Sequence, residues 1–264
     1  MKKALLLLIV LPALVFTTKA QVGYNYHQYS MGFGVSTLKP TTDVPFSSYN
    51  PAINFNASYN MSPFTTFSLV YEFGLLTGGY SDYYREASKA ITGTSVADLI
   101  TLAGISKTYA AFDPYYRDYA NRFQSASLQA TVQFGEFLDY ENGGFISRAL
   151  SNVYVGTGLG IVYNNITAIN RVNPDSTYSY GGADHSTNIM IPVKVGYQYK
   201  FYNAYDEPSV MLEAGYQMNY VFGYGLDGYS DPIFTFRNYE QYGGWHIGIK
   251  FNFGNITSYR KATH

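Results

Sequence analysis

Trp245-His246-Ile247-Gly248-Ile249-Lys250-Phe251-Asn252-Phe253 alternates bulky apolar residues with small or polar ones at every step. A period of two belongs to a β-strand, whose successive side chains point to opposite faces. The same alternation recurs in seven earlier segments. Met31, Phe33 and Val35 oppose Ser30, Gly32, Gly34 and Ser36, and Ile53, Phe55, Ala57 and Tyr59 oppose Asn54, Asn56, Ser58 and Asn60. Phe67, Leu69, Tyr71, Phe73 and Leu75 oppose Thr66, Ser68, Val70, Glu72 and Gly74, while Ala126, Leu128, Ala130, Val132 and Phe134 oppose Ser125 to Gln133. A glycine-rich fifth segment runs from Val153 to Tyr163. The sixth sets Ile189, Ile191, Val193, Val195, Tyr197 and Tyr199 against Lys194, Gln198 and Lys200. The seventh sets Val210, Leu212, Ala214, Tyr216, Met218 and Tyr220 against Glu213 and Gln217.

Alternation alone also fits a soluble sandwich or a lipocalin-like barrel. Three further features point to a membrane barrel. Each segment carries about ten alternating residues, the length a strand tilted about 45° needs to cross hydrocarbon. The polar faces are rich in glycine yet hold Glu72, Lys194, Glu213 and Lys250, which suits a narrow, filled interior with bulky groups turned to lipid. Connections also alternate: Met61–Phe64, Asp139–Ser151 and Tyr202–Pro208 are short to moderate, whereas Lys39–Asn50, Gly78–Asn121, Thr167–Ser186 and Gly223–Asn238 are mostly longer. Short periplasmic turns and long outer loops are the outer-membrane pattern.

Composition agrees: 29 Tyr and 18 Phe stand beside a charged fraction of 13%. Tyrosine, apolar in body and polar at its tip, suits a membrane interface. A formal charge of -1 implies no basic surface for nucleic acid. Lys2 and Lys3, the apolar run Ala4–Phe16 and Thr18-Lys19-Ala20 form an export signal cleaved before Gln21. The domain reading is therefore a signal peptide over 1–20, one barrel over 21–254 and a tail over 255–264. The absence of cysteine removes disulfides, thiol catalysis and an N-terminal lipid anchor.

The whole mature chain resembles the small eight-stranded outer-membrane barrels of Gram-negative bacteria, the group that includes the OmpA membrane domain and OmpX. Gly248, Ile249, Phe251 and Phe253 are similar to the β-signal that the barrel-assembly machinery reads, although here residues follow the terminal aromatic. The resemblance implies an all-β, eight-stranded antiparallel transmembrane barrel. It implies a monomer in the cell outer membrane, in contact with outer-membrane lipid, lipopolysaccharide and that machinery, and without cofactor. Pro192, in the sixth segment, cannot donate to a ladder and is expected at a bulge.

Candidate sites follow from register. Glu72, Lys194, Glu213, His246 and Lys250 should share the lumen as a charge cluster, with Lys200 also turned inward. Ser95 to Gly104 reads as a short helix in the second outer loop, with Ser95 capping, Asp98 three residues on and Gly104 stopping it. Around it, Tyr83, Tyr84, Arg85, Tyr115, Tyr116 and Arg117 are residue types enriched in contact surfaces; the other reading is an aromatic interface belt with a helix that caps the barrel mouth, on which Tyr229, Pro232, Phe234, Phe236 and Arg237 of the last loop, alike in composition, could pack. Asp184-His185-Ser186 joins acid, base and nucleophile, but neighbours on a strand face opposite ways, so a rim hydrolase would need Asp231, Asn238 or Glu240 as partner. His27, His185, His246 and His264 show no metal-ligand spacing. The expected function is a non-enzymatic barrel with a structural or surface-interaction role through its aromatic outer loops. The alternatives are a narrow conduit for small solutes and a lipid-modifying rim hydrolase.

Overall fold

The computed structural model describes residues 24–89, 91, 95–137, 145–172, 181–205, 207–230 and 239–259; the expected signal peptide and residues 231–238 of the last loop lie outside them. Eight antiparallel strands, β1 (Tyr24–Thr41), β2 (Asn50–Asn60), β3 (Thr65–Gly79), β4 (Asp118–Gln133), β5 (Val153–Ile169), β6 (His185–Tyr202), β7 (Pro208–Phe222) and β8 (Tyr239–Tyr259), follow one another around a closed barrel. Closure is made by β1, which pairs with β2 on one edge and with β8 on the other. A closed ladder leaves no strand edge, so every strand finds backbone partners on both sides.

The alternating segments face as their register demands, with the apolar set outside. Phe33, Leu128 and Ile247 keep 52%, 67% and 64% of their surface exposed, whereas Glu213, Lys194 and Lys250 are buried. This is the inverse of a water-soluble barrel. No helix among the described residues is long and apolar enough to cross a membrane.

The strands outrun the alternating cores by several residues at the outer end. Two expectations fail within them. Residues 255–259 are not a tail: β8 continues to Tyr259, pairing with Tyr24. Gly254, at φ 87°, takes up a bulge opposite His27 and Tyr29 instead of ending the strand. Pro192 in turn makes no bulge. The register to β5 is the same at Val193 and Met190, and to β7 Pro192 pairs directly with Asn219. The missing N–H interrupts the β5 ladder without shifting it.

Among the described residues, the connections hold three helices: α1 (Tyr80–Ser88), α2 (Val96–Phe112) and α3 (Phe145–Leu150). The capping box of α2 forms as read, with Ser95 Oγ accepting from the Asp98 amide at 3.2 Å and Asp98 Oδ2 accepting from the Ser95 amide at 2.8 Å. Gly104 does not stop it. A mid-helix glycine costs only about 1 kcal/mol, and the helix runs on until Asp113 turns extended before Pro114, whose ring disfavours a helical predecessor. The β4–β5 connection, 134–152, is longer than expected because a 3-10 turn and α3 occupy it.

Candidate functional site: the closed lumen and its outer cap

Inside the barrel the side chains form layers. At mid-height Glu213 lies 3.3 Å from His246 Nε2 and 3.9 Å from Lys194 Nζ, and is in direct contact with Lys250 Nζ. Tyr154 adds its hydroxyl to His246 Nε2 at 2.9 Å and offers its ring to the Lys194 ammonium at 5.7 Å. Four of the five residues grouped by register therefore meet. Glu72 makes no ion pair within the group. It accepts from Ser36 Oγ at 3.2 Å and faces the others across a cavity of about 30 Å³.

From Glu213 a hydrogen-bonded chain descends to the end where β1 begins and β8 ends. Gln198 Nε2 donates to Glu213 at 3.3 Å, Gln133 Nε2 to Gln198 Oε1 at 2.6 Å, and Lys200 Nζ to Gln133 Oε1 and the Pro63 carbonyl, each at 2.8 Å. Lys200 thus ties the β2–β3 turn to the lumen wall.

Above the charges lies a layer that no sequence reading anticipated. Leu38, Ala52, Leu76, Phe123, Val162, Met190, Val221 and Tyr242, one from each strand in order, form a buried apolar ring, and Leu226 of the β7–β8 loop fills it. Leu226 is held in place by its own backbone. Glu240 Oε2 accepts from the Leu226 amide at 2.7 Å and the Gly225 amide at 3.1 Å, and Asn121 Nδ2 donates to the Leu226 carbonyl at 2.8 Å. The lumen is closed by packed side chains and a seated loop.

The outer loops cap this plug. The Tyr229 hydroxyl accepts from the Asp118 amide at 3.0 Å and meets the Asn170 carbonyl at 2.5 Å, while the Tyr229 ring packs with Val44 and Tyr119. Arg117 donates through Nε to Asp113 at 2.9 Å and through Nη2 to the Asp43 carbonyl at 3.2 Å. Tyr109 of α2 is fully buried among Tyr80, Tyr83 and Tyr116, with ring centroids 5.2–5.9 Å away. Burial, then the neighbouring Asp113, raises its phenol above the ordinary 10.0.

Of the two readings of these loop residues, their placement favours the cap. Arg117 is buried, and Tyr83, Tyr84, Tyr115 and Tyr116 are half-buried. Among the six, Arg85 alone is exposed, and it reaches back to Asp82 at 2.6 Å. These residues build the cap because rings that stack on one another bury more apolar area than rings left in water.

Ser186, His185 and Asp184 turn to different partners. Ser186 Oγ accepts from Asn164 at 3.0 Å and donates to the Gly225 carbonyl at 3.3 Å; His185 stacks outside on Tyr163; Asp184 pairs with Arg171 at 2.7 Å. Glu240 is occupied by the plug, and Asp231 and Asn238 lie outside the described residues. Among the described residues no base reaches Ser186. Pro232, Phe234, Phe236, Arg237 and His264 also lie outside the described residues. Among those described, no three His, Asp or Glu residues are placed to hold a metal.

Eight antiparallel strands with an apolar outer band, aromatic residues on it and a polar, filled interior satisfy the physical description of a barrel built for the outer membrane. The fold is that of a small eight-stranded transmembrane β-barrel. No protein-family model matches the chain, and no curated protein matches it. Among solved structures, Neisserial surface protein A is similar at 16% identity, over 86% of this chain and 97% of that one, with a TM-score of 0.47. The outer membrane protein OprG from Pseudomonas aeruginosa is 10% identical over 88% and 99%, with a TM-score of 0.38. A major outer membrane protein from Thermus thermophilus is 12% identical over 86% and 100%, with a TM-score of 0.36.

The cap of this barrel carries a titratable anchor. Asp227, buried in the β7–β8 loop, accepts from the Tyr229 amide at 3.0 Å. Burial pushes its carboxyl from 3.8 to about 6, helped by Asp43 and opposed by the Tyr229 amide, Thr42 and Arg117. A carboxyl raised in the folded state favours folding while protonated; that contribution is complete below 3.8 and is lost as pH rises through about 6. The cap should therefore resist protease better near pH 5 than near pH 7.5, by roughly 1.4 kcal/mol in local opening free energy, since about one unit of the shift is released over that interval. Cleavage within 80–117 of protein in detergent micelles, followed at both pH values, measures this. A wild-type rate that is equal at both, or a pH dependence unchanged in Asp227→Asn, would refute it.

Proposed function

We propose that this chain is a non-enzymatic, non-conducting barrel whose role is structural and interactive: it anchors an ordered outer cap at the cell surface. The observation that carries this reading is the apolar ring filled by Leu226, lying above the charges gathered on Glu213. A water-filled path needs continuous polar lining, and nine apolar side chains packed across the lumen interrupt it. The cap offers α2 to the surroundings, a helix with Asp98 and Lys107 as its only charges and with Ile100 and Phe112 exposed at 68% and 66%. That helix, rather than the buried tyrosines and Arg117, is the surface on which a partner would dock.

The test is conductance. Purified protein inserted into planar lipid bilayers should give no steady unitary currents at neutral pH, under conditions where insertion is verified by protease protection of the strands. Reproducible single-channel steps from the wild-type chain would replace this reading with the conduit.

A further inference from the structure

On the lipid-facing wall near the periplasmic rim lies a shallow hollow of about 720 Å³. Its floor is Ala57 on β2, Ala130 on β4 and Thr157 on β5, three small residues close together with larger side chains around them. Tyr29, Tyr59 and Phe67 line it in the same register row as Ala130 and Thr157, and Leu69 and Leu128 project beside it. The small side chains leave the backbone of Ser58, Ser68, Gln129 and Gly158 within reach from outside.

The rim is pre-arranged. Tyr29 stacks on Phe253 at 6.2 Å and leans on Tyr59 at 5.7 Å, so one wall of the hollow is a braced aromatic cluster. Its depth is fixed by topology: Tyr59 ends one residue before Asn60 closes β2, Phe67 is the third residue of β3, and Ala130 lies three residues before β4 ends. All three stand at the end with the short turns, where tyrosines mark the level of the lipid headgroups.

We infer that this hollow is a binding site for one glycerophospholipid of the periplasmic leaflet, with an acyl chain laid over Ala57, Ala130 and Thr157 and its polar end at the Tyr29 and Tyr59 hydroxyls. The hollow is continuous with the surface that already faces hydrocarbon, which makes an acyl chain its occupant. Its position at the periplasmic rim selects a phospholipid over lipid A, which belongs to the opposite leaflet. An acyl chain held in a groove keeps dispersion contacts on several sides, where an annular lipid on a convex wall has them on one. The inference rests on the barrel's orientation and is independent of what the cap binds.

The test uses the full chain, purified and exchanged into a stringent detergent, then incubated with phosphatidylethanolamine carrying one saturated and one mono-unsaturated chain. Native mass spectrometry should show one retained lipid on the wild type and on Ala214→Phe, a filled position on the opposite wall. The adduct should be lost in Ala130→Phe and in Thr157→Phe, each checked for folding by its shift in gel mobility on boiling. The same lipid should raise the melting temperature of the wild type and leave both filled variants unmoved. A wild type that retains no phosphatidylethanolamine, filled variants that retain it, or displacement of it by lipid A would overturn the assignment.

Discussion

Glu213→Gln should destabilise the barrel by roughly 3–5 kcal/mol, the range found when one member of a buried ion network is removed. Lys194, Lys250 and His246 all converge on this carboxylate, and each of the two lysines is buried with it. The amide keeps the shape and loses the charge, leaving two ammonium groups in a lumen whose remaining neighbours are neutral or, like Glu72, engaged elsewhere. Gln198 also loses an acceptor, so the damage runs along Gln133 to Lys200 and the β2–β3 turn. The measurement is the urea midpoint at which the compact, unboiled gel species disappears. A loss below about 1 kcal/mol would show that the cluster is hydrated and contributes little. The triple variant Lys194→Met, Glu213→Leu, Lys250→Met should recover much of the loss, because apolar groups of similar volume carry no desolvation cost.

The architecture was legible because lipid and lumen impose opposite demands on adjacent residues. That contrast wrote eight alternating segments into the chain, and it placed Lys194, Glu213, His246 and Lys250 on one inner face before any contact was known. Two kinds of information were not so written. Leu38, Leu76, Phe123, Met190 and Tyr242 sit at lumen parity yet are apolar, a break in the pattern near the outer end of each strand that reads, segment by segment, as noise. Only closure of the barrel lines these residues up at one height, and Leu226 joins them from a loop whose path local sequence does not specify. Tyr83, Tyr116 and Arg117 stayed open between a contact surface and a cap for a related reason. Composition says that aromatic and arginine side chains bury area, but it does not say whether they bury it against a partner or against one another. At Gly104 and Gly254 the same residue type carried two wrong expectations, since glycine permits a stop, a bulge or plain helix, and neighbours decide which.

Gly244→Val should abolish the folded barrel. Gly244 faces the lumen in β8, opposite Leu38 across the seam where the first and last strands meet. A Cβ placed there would run into the Thr37 carbonyl, which is backbone and already committed to the ladder. Its neighbour Gly243, which faces outward, would meet the Gln217 carbonyl of β7 at 2.6 Å, so the glycine pair is pinched between both adjacent strands. Relief would require β8 to move away from β1, and that seam alone joins segments more than two hundred residues apart in sequence. It is the contact with the largest loop-closure cost, which makes it the one least able to absorb strain. Gly248, within the segment that resembles an assembly signal, is less confined: its Cβ would meet the Phe33 carbonyl at 3.1 Å. Packing therefore demands glycine at 244 more than at 248, so Gly244→Val should fail to close even with the signal-like residues intact. Gly104→Ala, where a Cβ meets nothing within 4 Å, is the matched control and should fold as the wild type does. The readout is the fraction of membrane-extracted protein that runs as a compact band before boiling and shifts afterwards. Wild-type yield of that band from Gly244→Val would mean that the seam can open and reclose around a side chain, and that closure is set elsewhere in the sheet.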